Sequence, residues 1–380
     1  MNEDKAARYH RLRRRSVVLA AAWSVVFLSA LLLTGLSHLI RDAAGTVAAV
    51  LHLPVILQGP VTVICWIVIV GAMHEAGALP CACFGGFVLG RRYDLSRQSL
   101  AGWARGHIKA QAFGLVVGVA AGVFVYGLLA AVPEAWWPIA WLASVAVAVA
   151  LAWAAPVIVL PLFFRFGPIT DDTLRRRLLA LASRLGVPAI DVFEWRLSDR
   201  TSRANAVLAG LGRTRRILVS DTLVSDYDGD QIEVILAHEL AHHVHRDVWR
   251  GLAFEAVLTG VALWAASRVL PVVAAGPLGL RGVDDVAGAP VLILTLMAVS
   301  FLMLPAANAL SRMSERRADL LALEITQDGD AFISAIRRLG AGHLAEDAPS
   351  PLVRIFFHTH PPVADRIASA RAWQARQQPS

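Results

Sequence analysis

The stretch His238-Glu239-Leu240-Ala241-His242 lies within an apolar run of helical periodicity, and it decides how the chain is interpreted. Two histidines four residues apart on a helix project from one face, so both imidazoles can reach one metal ion while Glu239 points towards the metal's open position. Catalytic zinc keeps three protein ligands, lowers the pKa of a water towards ~7 and works with a nearby carboxylate that takes the proton. The spacing predicts that His238 and His242 bind one Zn²⁺ per chain and that Glu239 is the general base.

The third ligand must come from another part of the chain. The segment 311–319, SRMSERRAD, is predicted to be helical and contains Glu315, with Asp319 one turn further along the same face. Glu315 is therefore the predicted third zinc ligand. Asp319 is predicted to hold a ligand imidazole by its other ring nitrogen.

The residues around the histidine pair support a well-formed helix. Asp230, followed three residues later by Glu233, resembles a capping box and predicts the start of this helix. His243 and His245 follow the pair but turn away from its face, so they are expected at the surface or behind the ligands.

Composition assigns the metal site to a membrane protein. The chain has 380 residues, of which 56% are hydrophobic and 17% charged, with a mean hydropathy of +0.56. Six uncharged apolar runs of about 20 residues are long enough to cross a bilayer. After the second run, apolar sequence continues past Pro80 to Leu89 as a kinked extension or a re-entrant piece. The predicted spans are residues 16–39, 61–79, 112–131, 137–160, 252–270 and 290–310.

Positive charge predicts the orientation. The N-terminal tail and the loop after the second span are rich in arginine, whereas the loops on the other side are short and poor in Lys and Arg. Both termini and the active site are therefore expected in the cytoplasm, in a multi-pass protein of the plasma (inner) membrane. The first apolar run is too long for a cleavable signal peptide. The net charge of +7 mostly reflects this bias and gives a nucleic-acid partner little support.

This topology divides the chain into four regions. Residues 1–164 and 251–310 are predicted membrane regions, and residues 165–250 and 311–380 together form one discontinuous cytoplasmic domain. In that domain, 172–185 is predicted to be an amphipathic helix, and 191–195, 204–209 and 216–220 are predicted strands. The last two strands form a hairpin, whose edge either binds an extended substrate peptide or only supports the active-site helix.

Five ordered blocks of sequence resemble the zinc-dependent type I CAAX prenyl protease family. The resemblance implies a mainly α, multi-pass membrane protein with a helix barrel around a water-filled chamber and a small α+β gluzincin-type zinc metalloprotease domain. Members usually have seven spans, whereas this sequence gives six, and Ala241 stands where glycine is common. The blocks are HELAH at 238–242, SRMSERRAD at 311–319, SRANAVLAG at 202–210, RRILVSDTL at 215–223 and THPPVADRI at 359–367.

The resemblance also implies roles that spacing cannot supply. Asn205 matches an asparagine on the substrate-binding edge strand, and His360 matches a histidine near the scissile carbonyl, where a hydrogen-bond donor stabilises the developing oxyanion. Arg366 is expected either to structure the site or to meet a substrate carboxylate. The Arg-rich, Lys-poor and Ala-rich composition is similar to that of proteins from high-GC bacteria, where prenylated substrates are not expected, so the natural substrate does not transfer from the family.

Several alternatives remain open at this point. The leading function is a membrane zinc endopeptidase acting on peptides or membrane-associated proteins, with or without an attached lipid. The others are a heat-shock-type quality-control protease, a zinc-containing signalling sensor and an inactive relative. His74 and Glu75 in the second span either line a chamber or mark a helix end near the interface. The three cysteines predict apolar filling rather than a disulfide framework.

Overall fold

A computed structural model of the protein describes residues 4–187, 191–346 and 348–377. The first predicted region, 1–164, therefore begins outside the described residues, and the last predicted region, 311–380, ends outside them. The helices are α1 (Lys5–Leu33), α2 (Leu36–Val50), α3 (Val55–Arg92), α4 (Leu100–Ala131), α5 (Trp136–Phe163), α6 (Asp172–Arg184), α7 (Asp221–Asp226), α8 (Gly229–Val244), α9 (Asp247–Ala274), α10 (Ala289–Thr326), α11 (Gly329–Gly342), α12 (Pro351–Phe357) and α13 (Val363–Gln377), and the strands are β1 (Phe166–Pro168), β2 (Val192–Trp195), β3 (Ala206–Ala209) and β4 (Arg216–Ser220).

Six helices among the described residues are long and apolar enough to cross a membrane, as the sequence predicts. They are α1, α3, α4, α5, α9 and the α10 segment. The predicted end of the first span is wrong, because α1 stops at Leu33 and the chain turns at Gly35, which has a φ of 73°. The short helix α2, 15 residues long, follows that turn.

The apolar sequence past Pro80 is a helical extension and not a re-entrant piece. Pro80 lacks the N–H that an α-helix needs. The helix nevertheless continues past it, through a π-helical turn at Phe84–Val88, and ends at Arg92. His74 and Glu75 consequently lie well inside α3, which excludes a position at a helix end.

The six long helices form a closed ring. Each helix packs against its neighbours in the order α1, α3, α4, α5, α9 and α10, and α10 packs against α1 again. Six helices therefore suffice to close the barrel that the family resemblance implies with seven. α2 packs against α1 and α3 at one end of this barrel, where Ser37 Oγ donates to the Ala287 carbonyl and Arg41 forms a buried ion pair with Asp285.

Polar side chains join neighbouring helices of the barrel. His74 Nε2 is 2.9 Å from Ser24 Oγ on α1, and Glu75 Oε1 is 2.6 Å from His107 Nε2 on α4. Ionisable side chains at membrane depth are costly unless they have such partners. Cys65, Cys81 and Cys83 are all free, as expected.

The sheet lies at the barrel end opposite α2. Its four strands are ordered β1-β2-β4-β3, with β3 antiparallel to β4, so the predicted hairpin is correct and β3 is an edge strand. Strand β1, which pairs with β2, was not predicted. The hairpin turn requires glycine at Gly210, because its φ is +98° and a Cβ there would approach the Thr214 carbonyl oxygen to 2.6 Å.

One apolar core connects the segments on either side of α9 and α10. Leu178 of α6, Ile217 of β4 and Leu236 of α8 share it with Phe332 of α11 and Trp373 of α13. The helical hairpin α9–α10 therefore leaves and re-enters a single folded unit.

The predicted start of α8 is wrong by two residues. Asp228 is the N-cap, and it forms a reciprocal capping box with Gln231, because its backbone is extended and its side chain accepts the Gln231 N–H. Asp230 and Glu233 already lie within the helix, where both carboxylates bind Arg177 instead.

Candidate active site

The structure brings together the three predicted metal ligands. His238 and His242 lie on α8, and Glu315 lies on α10, which packs directly against α8. One ligand atom of each residue lies within 4.8 Å of the others. His238 Nε2 is 3.3 Å from Glu315 Oε2, and His242 Nε2 is 3.5 Å from Glu315 Oε1.

A carboxylate stands behind each imidazole. His238 Nδ1 lies 2.8 Å from Asp319 Oδ1, as the sequence predicts, and His242 Nδ1 lies 3.0 Å from Asp247 Oδ2. A carboxylate only accepts hydrogen bonds, so each imidazole donates through Nδ1, which leaves Nε2 as the nitrogen that can bind a metal. Both rings are therefore held in the tautomer that binds a metal through Nε2.

Asp247 is the residue that the sequence reasoning missed. It is the first residue of α9, reached through a turn in which Arg246 has a left-handed φ of 56°. Its other oxygen, Oδ1, accepts from Arg250 and Arg317, each at 3.1 Å. The available signal was an aspartate shortly after the second histidine, but only the turn between α8 and α9 brings it back to the His242 ring.

Arg366 is bound to Asp319 by two hydrogen bonds. Its Nε donates to Asp319 Oδ2 at 2.8 Å, and its Nη2 donates to Oδ1 at 2.5 Å. The same Nη2 is 3.5 Å from His238 Nδ1. The bidentate pair fixes Asp319 behind the ligand histidine, which favours the structuring alternative for Arg366.

Burial and neighbouring charges shift the pKa values of two α8 residues at the centre of the site. Burial raises the pKa of the Glu239 carboxyl, and the nearby histidines His238 and His242 oppose that rise only in part. Burial lowers the pKa of His238, but the carboxylates of Asp319 and Glu315 outweigh it and raise that pKa to about 9 in the metal-free chain. A carboxyl with a raised pKa is suited to taking and releasing a proton near neutral pH.

His238, Glu239 and Glu315 line a cleft with a cavity volume of about 630 Å³. Asn205 is exposed on its wall, immediately before the edge strand β3. The His360 side chain, 64% exposed, also lines the cleft, and its Nδ1 lies 2.8 Å from Glu315 Oε2. Sequence-distant blocks therefore meet at one surface, as the family resemblance implies.

His243 and His245 do not join the ligand group. His243 faces a separate pocket with Arg215, Arg246 and Trp249, and the Nε2 atoms of both histidines are buried without a hydrogen bond among the described residues. Their exclusion from the ligand group follows from the helical spacing.

The donor set fits a divalent metal ion. Glu315 Oε2 is buried, and although His238 Nε2 and His360 Nδ1 approach it, neither makes a hydrogen bond of suitable direction. Two imidazole Nε2 atoms and one carboxylate that converge on one point are the usual protein ligands of a catalytic metal with an open position.

Comparison with known families decides the class of protein. A family model described as "Peptidase family M48" matches residues 168–374, and one described as "CAAX prenyl protease N-terminal, five membrane helices" matches residues 2–165. The chain belongs to peptidase family M48. It is thus a membrane metalloprotease of the CAAX prenyl protease type, as the sequence resemblance indicates. In the five-helix region this M48 protein has four long helices and the short α2.

Its relatives are similar over most of the chain. The "Uncharacterized metalloprotease YhfN" of Bacillus subtilis (strain 168) is 29% identical over 288 residues, which are 75% of this M48 chain and 68% of YhfN. The "CAAX prenyl protease 1 homolog" of Taenia solium is 23% identical over 333 residues, 79% of this chain and 70% of the relative. The crystal structure of S. mikatae Ste24p has a TM-score of 0.82 at 21% identity and covers 96% of this chain and 87% of its own, which shows the fold.

Proposed function

We propose that this M48 protein is a zinc endopeptidase that hydrolyses peptide bonds of peptides or membrane-associated proteins. The convergence of His238, His242 and Glu315 within 4.8 Å, beside Glu239, carries the proposal. Zinc held by these three ligands would polarise the attacking water and the scissile carbonyl.

The residues around the ligands prepare and move the protons. Asp319 and Asp247 hold the two imidazoles by their Nδ1 atoms, so the ligand nitrogens are already oriented. Glu239 takes the proton of the attacking water and delivers it to the leaving amine nitrogen, which requires a carboxyl whose pKa lies above the ordinary glutamate value.

The substrate strand is proposed to pair with β3. In an antiparallel pair, neighbouring residues alternate between bonding the partner strand and pointing to the free edge. Ser220 N–H donates to the Asn205 carbonyl, so Asn205 faces β4 and Ala206 presents its backbone groups to the cleft. A peptide added there gains main-chain hydrogen bonds with little demand on its side chains.

Two further side chains complete the proposed mechanism. His360, exposed in the cleft beside Glu315, donates a hydrogen bond to the oxygen of the scissile carbonyl as negative charge develops. The Asn205 side chain binds the substrate backbone. Arg366 positions Asp319, and contact with a substrate carboxylate is the second role open to it because it also lines the cleft.

Orientation and organisation are part of the same proposal. Residues 165–250 and 311–380 form the catalytic unit on the cytoplasmic face of the plasma membrane, and residues 1–164 and 251–310 anchor it. The arginine-rich tail and the loop after α3 support this orientation. Four long helices before α8 distinguish the architecture from the quality-control proteases with two spans before the motif.

The test is metal analysis together with cleavage of a quenched fluorogenic peptide library by the detergent-purified chain. About one zinc per chain and cleavage that a chelator abolishes are expected. Glu239→Gln should lower kcat/KM at least about 10³-fold while zinc stays bound, because the variant keeps the side chain's size and loses only the base.

Asp230→Asn is the matched control, since Asp230 lies on the same helix with an exposed side chain that binds only Arg177. It should retain both zinc and activity. Full activity in Glu239→Gln would refute the assigned base, and cleavage that survives complete metal removal would refute the metalloprotease mechanism itself.

A further inference from the structure

A second cavity lies at the turn between α8 and α9 and has a volume of about 360 Å³. His242 forms part of its wall, but none of the described residues lines both this cavity and the active-site cleft. We call this cavity the turn pocket. The side chains that line it, apart from His242, are Leu211, Arg215, His243, Arg246, Val248 and Trp249.

The two arginines of the turn pocket have no anionic partner. Among the described residues, neither the Arg215 side chain nor the Arg246 side chain forms a hydrogen bond or an ion pair. The adjacent acid, Asp247, already contacts three basic side chains at 3.0–3.1 Å and is not free to neutralise them. The turn pocket therefore has an excess of positive charge.

Buried polar atoms of the same pocket also lack partners. Arg215 Nε and His243 Nε2 are both buried without a hydrogen bond in the part of the chain that the structure describes. Buried polar groups are nearly always hydrogen-bonded, so these two atoms indicate a polar ligand. A phosphate group has several acceptor oxygens, and they match the fork of donors on a guanidinium. The chemistry of the turn pocket thus fits a phosphate.

The turn pocket lies at the ends of two adjacent membrane spans. The apolar run in α9 begins at residue 252, so at 1.5 Å per residue Trp249 lies about 5 Å and Arg246 about 9 Å before it. These distances correspond to the headgroup layer, where tryptophan is enriched. In the turn before β4, Thr214 Oγ1 donates to the Trp153 carbonyl of α5 at 2.8 Å, and α5 packs against α9. Arg215 is consequently held beside the ends of the same two helices.

An exposed apolar face of α9 starts at this pocket. Trp249, Ala253 and Val257 are spaced by four residues and are all exposed, so they form one face of the helix. Glu255 lies on a different face, and ionisable side chains at membrane depth usually face the protein interior or a wet cavity. The face that starts at Trp249 is therefore the one that contacts lipid.

We propose that the turn pocket binds the phosphate of an anionic phospholipid whose acyl chains lie along the exposed apolar face of α9. Arg215 and Arg246 bind the phosphate, and Trp249 contacts the acyl chains next to the headgroup. The lipid belongs to the leaflet at the barrel end that carries the sheet. The apolar face favours a lipid over a free phosphate, and the lack of an available acid disfavours a headgroup with its own ammonium group. This site does not depend on the proposed function.

The bound lipid would connect two turns of the chain to the bilayer. Arg215 belongs to the turn between β3 and β4, and Arg246 belongs to the turn that brings Asp247 to His242. A phosphate shared by the two arginines fixes both turns at one level of the membrane. Lipid binding should therefore raise the melting temperature of the protein.

Native mass spectrometry of the detergent-purified full chain tests the site. The chain is titrated separately with phosphatidylglycerol, with phosphatidylcholine of the same acyl chains and with glycerol 3-phosphate. Because each arginine near an anionic headgroup adds about fivefold in affinity, phosphatidylglycerol should bind about 20-fold more tightly than phosphatidylcholine. Equal affinity for the two lipids overturns the proposal. Glycerol 3-phosphate has no acyl chains, and if it binds as tightly as phosphatidylglycerol, the occupant is not a lipid and the proposal is also overturned.

Variants locate the preference in the turn pocket. Arg215→Gln and Arg246→Gln should each lower the ratio of phosphatidylglycerol affinity to phosphatidylcholine affinity about fivefold. Arg246→Lys should keep most of that ratio, because the charge remains and only the fork of donors is lost. Arg213→Gln is the matched control, since Arg213 is exposed in the same turn as Arg215 and does not line the pocket. It should keep the wild-type ratio.

The control separates the pocket from general surface charge. An equal fall of the ratio in Arg213→Gln, or a wild-type ratio in both pocket variants, overturns the proposal. Phosphatidylglycerol should also raise the melting temperature of the wild type more than that of Arg246→Gln. Because Arg246 is exposed, this variant tests the site even if Arg215→Gln does not fold.

Discussion

Replacing Asp247 with asparagine should weaken zinc binding and leave the fold intact. Asp247 Oδ2 accepts from His242 Nδ1 at 3.0 Å, and the Asp247 side chain is only 10% exposed, so solvent screens this contact little. Asparagine keeps the size of the side chain but removes the negative charge that holds the imidazole and that also forms an ion pair with Arg317. Loss of such a carboxylate behind a ligand histidine typically lowers metal affinity about 10–100-fold.

That range corresponds to about 1.4–2.8 kcal/mol, at about 1.4 kcal/mol for each factor of ten. The assay is competition for zinc between the detergent-solubilised protein and a fluorescent chelator, with the melting temperature of each variant recorded in parallel. Peptidase activity should fall at limiting zinc and recover largely when zinc is added in excess, because all three direct ligands are still present.

Asp226→Asn is the control, since Asp226 is an exposed aspartate that bonds only to the neighbouring Ser225 hydroxyl. It should bind zinc like the wild type. Wild-type zinc affinity in Asp247→Asn would refute the assignment of Asp247 as the partner of His242. Lost activity that excess zinc does not restore would show that Asp247 acts on the chemistry in another way.

Three further outcomes are expected. Gly77→Ala places a Cβ 2.0 Å from the Trp23 ring and should destabilise the α1–α3 contact by about 1–3 kcal/mol, whereas Gly118→Ala, with open space, should leave the melting temperature nearly unchanged. Asp285→Asn breaks the buried pair with α2 and should cost about 3–5 kcal/mol of stability, and an unchanged melting temperature would contradict it. Because the pKa of His238 is raised to about 9, the contribution of His238 to the stability of the chelated protein should be fully present below pH 6.5 and should be lost as the pH rises through 9; thermal melts that show no such loss would count against this charge state.

The parts of the site that sequence predicts correctly are those fixed by local geometry. The four-residue spacing of His238 and His242 places both on one face of any helix, whatever surrounds it. The spans are equally local, because about 20 apolar residues in a helix match the thickness of a bilayer. The structure confirms six such helices, and the families matched confirm a membrane metalloprotease.

The errors lie at boundaries and turns. The predicted first span extends past Leu33 because the apolar pattern continues into α2, and only the turn at Gly35 separates the two helices. The sequence predicts that α8 starts at Asp230 because two overlapping pairs, Asp228 with Gln231 and Asp230 with Glu233, both have the spacing of a capping box. Backbone conformation at Asp228 decides between them, and sequence alone does not report it.

Sequence by itself determined the chemistry that the chain carries: a helical histidine pair with its glutamate, a second helix with Glu315, and enough apolar runs to require a membrane. The tertiary structure alone decided how these parts close on one another. The ring of six helices and the pairing of Arg366 with Asp319 depend on contacts between distant segments, and Asp247 reaches His242 only through the turn between α8 and α9. Periodicity fixes the face on which a side chain lies, but only packing fixes what that face meets.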